Sequence, residues 1–104
     1  MLAIIKNILG IAPAIDFHVL LKNGAQIIDV RTPSEYKGGH IKGSINIPLD
    51  QLQQQFSKIS VSKPIITCCA SGMRSASAKQ LLTAKGFTEV HNGGGWTGLQ
   101  NKLR

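Results

Sequence analysis

The chain is poor in cysteine, in aromatic residues and in acid. Its two cysteines, Cys68 and Cys69, are adjacent. Neighbouring residues rarely reach disulfide geometry, so the pair does not make a disulfide framework. That fits a reducing compartment or one reactive thiol and does not separate them. The aromatic residues are three Phe, one Tyr and one Trp. With no run of basic residues either, nucleic acid lacks a stacking platform and is not an expected partner. Five Asp plus Glu stand against twelve Lys plus Arg, a formal net charge of +7. The lysines are scattered, which reads as solubility, but their summed field also attracts small anions. No repeat, low-complexity tract or Pro/Ser linker divides the chain.

What is present suits one compact domain: 104 residues, 42% of them hydrophobic, enough for a single core. Residues 1–13 form an apolar extension broken by Lys6 and Asn7, read as a short helix ahead of a domain over 14–104. The extension is shorter than the about 20 apolar residues that span a bilayer, so no stable membrane insertion is expected. As a signal peptide it offers only Ile8 to Ala12 as an apolar core, where about 7–15 residues are usual. Ala12-Pro13-Ala14 mimics a cleavage site, which keeps export as the alternative to a cytoplasmic location.

Strand-like and helix-like runs alternate. Ala14-Ile15 reads as a short strand. Asp16 caps a helix over Phe17 to Asn23 that Gly24 closes. Gln26 to Val30 is an apolar run suited to a buried strand. Thr32-Pro33-Ser34-Glu35 carries a cap, Pro at N1 and Glu at N3, the signature of a helical start. Ser44 to Ile47 reads as a strand ended by Pro48. Asp50 caps a helix through Gln55. Pro64 to Cys68 is the most strand-like run, Arg74 to Lys85 a helix closed by Gly86, and Thr88 to His91 a last strand. Leu99 and Leu103 suit a final helix. This alternation predicts an α/β domain, a mostly parallel sheet of about four or five strands with helices on both faces. Ligands in such folds bind at the carboxyl ends of strands.

Cys69 lies at such an end. The segment Cys69-Ala70-Ser71-Gly72-Met73-Arg74-Ser75 joins the most strand-like run to the longest helix. A helix start carries unpaired N–H groups and the positive end of the helix dipole, a setting that lowers a thiol pKa and binds anions. Successive N–H groups of a tight loop can turn inward as a nest, and Gly72 lets the backbone curl.

Cys69 to Arg74, followed by Ser75, resembles the active-site loop of rhodanese-like sulfurtransferases. The stretch Ile28-Asp29-Val30-Arg31-Thr32-Pro33-Ser34-Glu35-Tyr36 with Gly39-His40-Ile41-Lys42-Gly43-Ser44-Ile45-Asn46-Ile47-Pro48 resembles that family's upstream signature. Asn92-Gly93-Gly94-Gly95-Trp96 resembles its C-terminal one. The resemblance runs from about Ala14 to Leu103, and its three segments come in the family's order. It implies a single rhodanese-like domain, Cys69 as the catalytic nucleophile, and sulfur taken from thiosulfate or a persulfide and passed to a thiol or protein acceptor. It implies no metal or organic cofactor. Ala70, Ser71, Gly72, Met73, Arg74 and Ser75 would form the substrate nest, with Arg74 as anion contact. Asp29, Arg31 and Trp96 are possible supporting residues, and the protein is expected to be a monomer.

Each residue has a plainer reading. Cys69 could be an inert buried thiol, Arg74 a solvated charge, Ser75 a helix cap. Arg31 and Glu35 read as an ion pair fixing the turn, and His40 as a structural histidine. Trp96 could wall the pocket or fill the core. Cys68 should point to the opposite face from Cys69. Many family members carry an aromatic residue or His there. Two other functions remain open: an oxyanion-handling phosphatase or arsenate reductase of related fold, and a non-enzymatic binding or redox-sensing module. Phosphate-handling loops are typically a residue longer than Cys69 to Arg74.

Overall fold

The computed structural model describes residues 15–104. The expectations for residues 1–13 and for a strand through Ala14 therefore lie outside the described residues, and Ile15 belongs to no strand. The elements are α1 (Phe17–Lys22), β1 (Gln26–Asp29), α2 (Pro33–Lys37), β2 (Ile45–Asn46), two 3-10 turns (Leu49–Gln54 and Phe56–Lys58), β3 (Ile65–Cys69), α3 (Met73–Lys85), β4 (Val90–Gly95) and α4 (Trp96–Lys102).

The strands form one four-stranded sheet in the order β2-β1-β3-β4, every pair parallel. β1 pairs with β3 from Gln26–Ile65 through Asp29–Cys68. All five residues of β3 are buried, as a central strand covered on both faces requires. Side chains alternate across the sheet. Ile28, Val30, Ile65 and Cys69 join Ile47, Leu52, Ala78, Leu82 and Phe87 on one face, under α3 and the 3-10 turns. Ile27, Ile66 and Cys68 join Phe17, Ile41 and Leu99 on the other, under α1 and α4. Burial of large aliphatic side chains such as these contributes roughly 1.5–3 kcal/mol each and drives the two layers together.

Local signals set the element boundaries. Asp16 accepts from the His18 and Val19 N–H groups and starts α1. Thr32 and Glu35 form a complete capping box on α2. Several boundaries differ from expectation by a residue or more, β3 among them, which runs Ile65–Cys69 and takes in Cys69 itself; three have a local reason. Leu49–Gln54 winds as a 3-10 helix with no side-chain cap, because Pro48 rather than Asp50 stands at its entry. α3 starts one residue early, at Met73, with Gly72 in the cap position. β4 begins later than expected and continues through the glycines to Gly95. Glycine is a poor strand former in general, but a Cβ on Gly95 would sit 2.9 Å from the Ala70 carbonyl oxygen. Bare backbone lets β4 press against the loop that follows β3.

Candidate active site

β3 delivers Cys69 to its carboxyl end, and the chain must then turn sharply into α3. Gly72 makes the turn at φ 105°, in the left-handed region that a side chain disfavours. Its N–H points back at Cys69 Sγ over 2.9 Å. The Ser75 hydroxyl, in the first turn of α3, lies 3.4 Å from the same sulfur. Cys69 is 1% exposed. Burial pushes its pKa up, but the Ser75 hydroxyl and the N–H groups of Ser75, Gly72 and Ser71 outweigh it, and the thiol ends below its ordinary value. Neutral donors aimed at one sulfur favour the thiolate, the form that attacks sulfur.

Ser75 is therefore part of the sulfur's surroundings rather than a helix cap. Its Oγ also lies 2.6 Å from Asn92 Oδ1 and 3.0 Å from the Gly72 carbonyl oxygen. Asn92 accepts from the Gly94 N–H at 2.9 Å and so ties β4 to the loop. Asn92 opens the segment that resembles the family's C-terminal signature but is not among the expected site residues, because it falls where the expected strand had already ended. Ala70, Ser71 and Met73 are exposed at the rim.

Arg74 does not stand alone. Its guanidinium donates to both Glu35 carboxylate oxygens, at 2.7 and 2.9 Å. The expected Arg31–Glu35 ion pair is not the one formed. Glu35 reaches across to α3, and Arg31 meets only its backbone carbonyl, at 3.3 Å. Arg74 and then the Thr32 N–H pull the Glu35 carboxyl down to about 2. One carboxylate thus caps α2 and fastens it to the start of α3. Beside the pair, Val30, Thr32, Pro48, Leu49, Asp50 and Arg74 line a cleft of about 310 Å³.

Asp29, Arg31 and Trp96 come together on the face opposite Cys69. Arg31 donates to Asp29 at 2.9 and 2.7 Å and to the Gly39 carbonyl at 2.7 Å. Its guanidinium carbon is 4.8 Å from the centre of the Trp96 ring. Trp96 packs in the layer under α1 and α4. Cys68, 0% exposed, pairs with Asp29 across the strands. Burial, then the Asp29 charge, pushes its thiol up to about 12. His40 stacks on Tyr36 with ring centroids 3.7 Å apart, and its Nδ1 meets the Tyr36 carbonyl at 2.7 Å. Among the described residues no histidine hydrogen-bonds Cys69, no set of three or more His, Cys, Asp or Glu could hold a metal, and no helix is long and apolar enough to cross a membrane.

A parallel α/β sheet with a cysteine at the carboxyl end of its central strand, cupped by a loop of N–H donors, defines a class of cysteine-loop proteins. Within it this chain belongs to the rhodanese-like domain family, whose model matches residues 14–102. It is 48% identical over 68 residues to the uncharacterized protein YqhL of Bacillus subtilis, a match covering 65% of this chain and 54% of YqhL. It is 37% identical over 70 residues to the thiosulfate sulfurtransferase PspE of Escherichia coli, covering 65% of this chain and 67% of PspE. The fold superposes on the human single-domain sulfurtransferase TSTD1 with a TM-score of 0.71 at 28% identity, over 88% of this chain and 97% of that one.

Proposed function

We propose that the protein is a sulfurtransferase of the thiosulfate sulfurtransferase type, with Cys69 as its sulfur carrier. The observation that carries this reading is the convergence of the Gly72 N–H and the Ser75 hydroxyl on Cys69 Sγ, at 2.9 and 3.4 Å. The relatives named thiosulfate sulfurtransferase support it. The Cys69 thiolate attacks the outer sulfur of thiosulfate or of a persulfide. A new S–S bond forms, the donor's S–S bond breaks, and sulfite or a thiolate leaves with the electron pair. The loop Ala70–Ser75 holds the resulting persulfide. A thiol, a protein or cyanide then attacks the outer sulfur, and Cys69 departs as thiolate.

Arg74 keeps two of its five N–H donors on Glu35 and offers others to an anionic donor. Asp29, Arg31 and Trp96 support the sheet end from behind. The protein acts as a cytoplasmic monomer. The direct test is intact mass after incubation with thiosulfate. One added sulfur, removed by cyanide as thiocyanate, is the expected result. An unchanged mass with Cys69 reduced and accessible would defeat the reading.

A further inference from the structure

The Ser75 hydroxyl has one proton and three acceptors within reach: Asn92 Oδ1 at 2.6 Å, the Gly72 carbonyl at 3.0 Å and Cys69 Sγ at 3.4 Å. The atom of Asn92 facing it is the oxygen, because the same atom meets the Gly94 N–H, which can only donate. The shortest of the three contacts is the one to Asn92. We propose that Asn92 is a positioning residue that competes with Cys69 for the Ser75 proton, and so sets both the acidity of the free thiol and the preference for its sulfur-loaded form.

Three states follow. With the thiol protonated, its S–H donates to Ser75 Oγ and the hydroxyl donates to Asn92. With the thiolate, the S–H proton has left to water and the Ser75 O–H swings to Sγ, leaving Asn92 Oδ1 with the Gly94 N–H alone. When a sulfur is added, the negative charge moves to the outer sulfur. The inner Sγ becomes a poor acceptor, and the hydroxyl returns to Asn92. Only the O–H bond rotates; no proton passes between Ser75 and Asn92. Asn92 therefore opposes ionisation of the empty enzyme and favours the loaded one.

The charges around Cys69 are few. Arg74 comes from α3 and is neutralised by Glu35 from α2. The Asp29–Arg31 pair and Cys68 lie across the sheet. From β4 the neighbours are Asn92 and the glycines, while the adjacent His91 meets Glu89. None of these charges is removed by the variants below, and only Asn92→Asp adds a charge of its own.

The experiment follows the rate of Cys69 alkylation by iodoacetamide against pH, which requires no sulfur donor. The inference deepens the sulfur-transfer reading, yet this readout stands apart from it. A protein that never accepted sulfur would sink that reading while leaving the competition for the proton measurable. Asn92→Asp keeps an oxygen for Gly94 and Ser75, gives up only the long 3.5 Å contact of Nδ2 to the Gly72 carbonyl, and binds the proton more strongly. Its alkylation midpoint should rise, cutting the rate at pH values below the midpoint about tenfold. Asn92→Ala frees the proton and should move the midpoint down. In a Ser75→Ala background the Asn92→Ala shift should vanish, since no proton remains to direct. The added charge of Asn92→Asp raises the midpoint in any case, so the Asn92→Ala arm decides. An Asn92→Ala midpoint that does not fall, or an Asn92→Ala shift undiminished without the Ser75 hydroxyl, overturns the proposal.

Discussion

Cys68 and Cys69 are neighbours in the chain and opposites in the fold. Both are buried. Cys68 faces a layer that holds the buried Asp29 carboxylate, and burial first, then that charge, drives its thiol up to about 12. Cys69 faces an apolar layer, but its sulfur sits under the Ser75 hydroxyl and N–H donors, and its pKa falls. Burial opposes ionisation in both. At Cys68 the Asp29 charge adds to the burial, whereas at Cys69 hydrogen-bond donors outweigh it. Depth alone does not make a cysteine inert.

The sharpest way to break this comparison is to remove each sulfur in turn. Cys69→Ser should abolish thiocyanate formation from thiosulfate and cyanide, while Cys68→Ser should retain most of it. Equal losses would mean that the two faces act as one site.

A large effect on stability should come from the Cys68 face. Asp29→Asn leaves Arg31 buried without its counter-charge, which should cost about 3–5 kcal/mol in denaturant unfolding. Unfolding at an unchanged midpoint would show that Gly39 and Trp96 hold Arg31 by themselves.

On the Cys69 face, Arg74→Ala removes a charge-assisted contact worth about 1.5–3 kcal/mol, on the order of tenfold to a hundredfold in kcat/KM with thiosulfate. Uncharged persulfide donors should suffer less. Equal losses for both donors would assign Arg74 wholly to its bond with Glu35. The loop should also fit one sulfur better than a phosphoryl group. Wild-type protein that hydrolysed aryl phosphate faster than it formed thiocyanate would favour oxyanion chemistry instead.

The smallest expected effect is on pH dependence. Glu35 has its carboxyl held down to about 2 against an ordinary 4.5. A depressed folded value adds stability that is complete above 4.5 and is lost as pH falls towards about 2. The side chains of Arg74 and Glu35 are 35% and 37% exposed, so the contribution is small and salt weakens it. Urea midpoints of wild type and Glu35→Gln should converge across that window. A gap that persisted at the acid end would show that the carboxylate charge is not its source.

Much of this was legible before the fold was known. The α/β alternation, the Asp16 and Thr32 caps, the place of Cys69 at a strand end and the opposite facing of Cys68 all follow from local chemistry, which acts over a few residues. Asn92 and the partner of Glu35 do not. Both depend on which elements the crossovers bring together: Glu35 already had a complete local role in its capping box, so nothing in its neighbourhood asked for Arg74. β4 was cut short for the same reason, since a glycine run reads as a loop until the surface it must fit against is known.

The bare edge of β4 has a consequence for how such a protein is mapped. A Cβ at Gly93 would meet the Thr67 carbonyl and the Leu99 side chain at 2.8 Å each, just as one at Gly95 would meet Ala70. Neither glycine has a side chain with which to act on a substrate. Even so, a saturation scan scored by turnover would rank both beside Cys69, because any larger residue pushes β4 off β3 and α4 at Gly93, or off the sulfur loop at Gly95. Intolerance at those two positions would record lack of room, and only a separate measure of folded protein would tell it apart from chemistry.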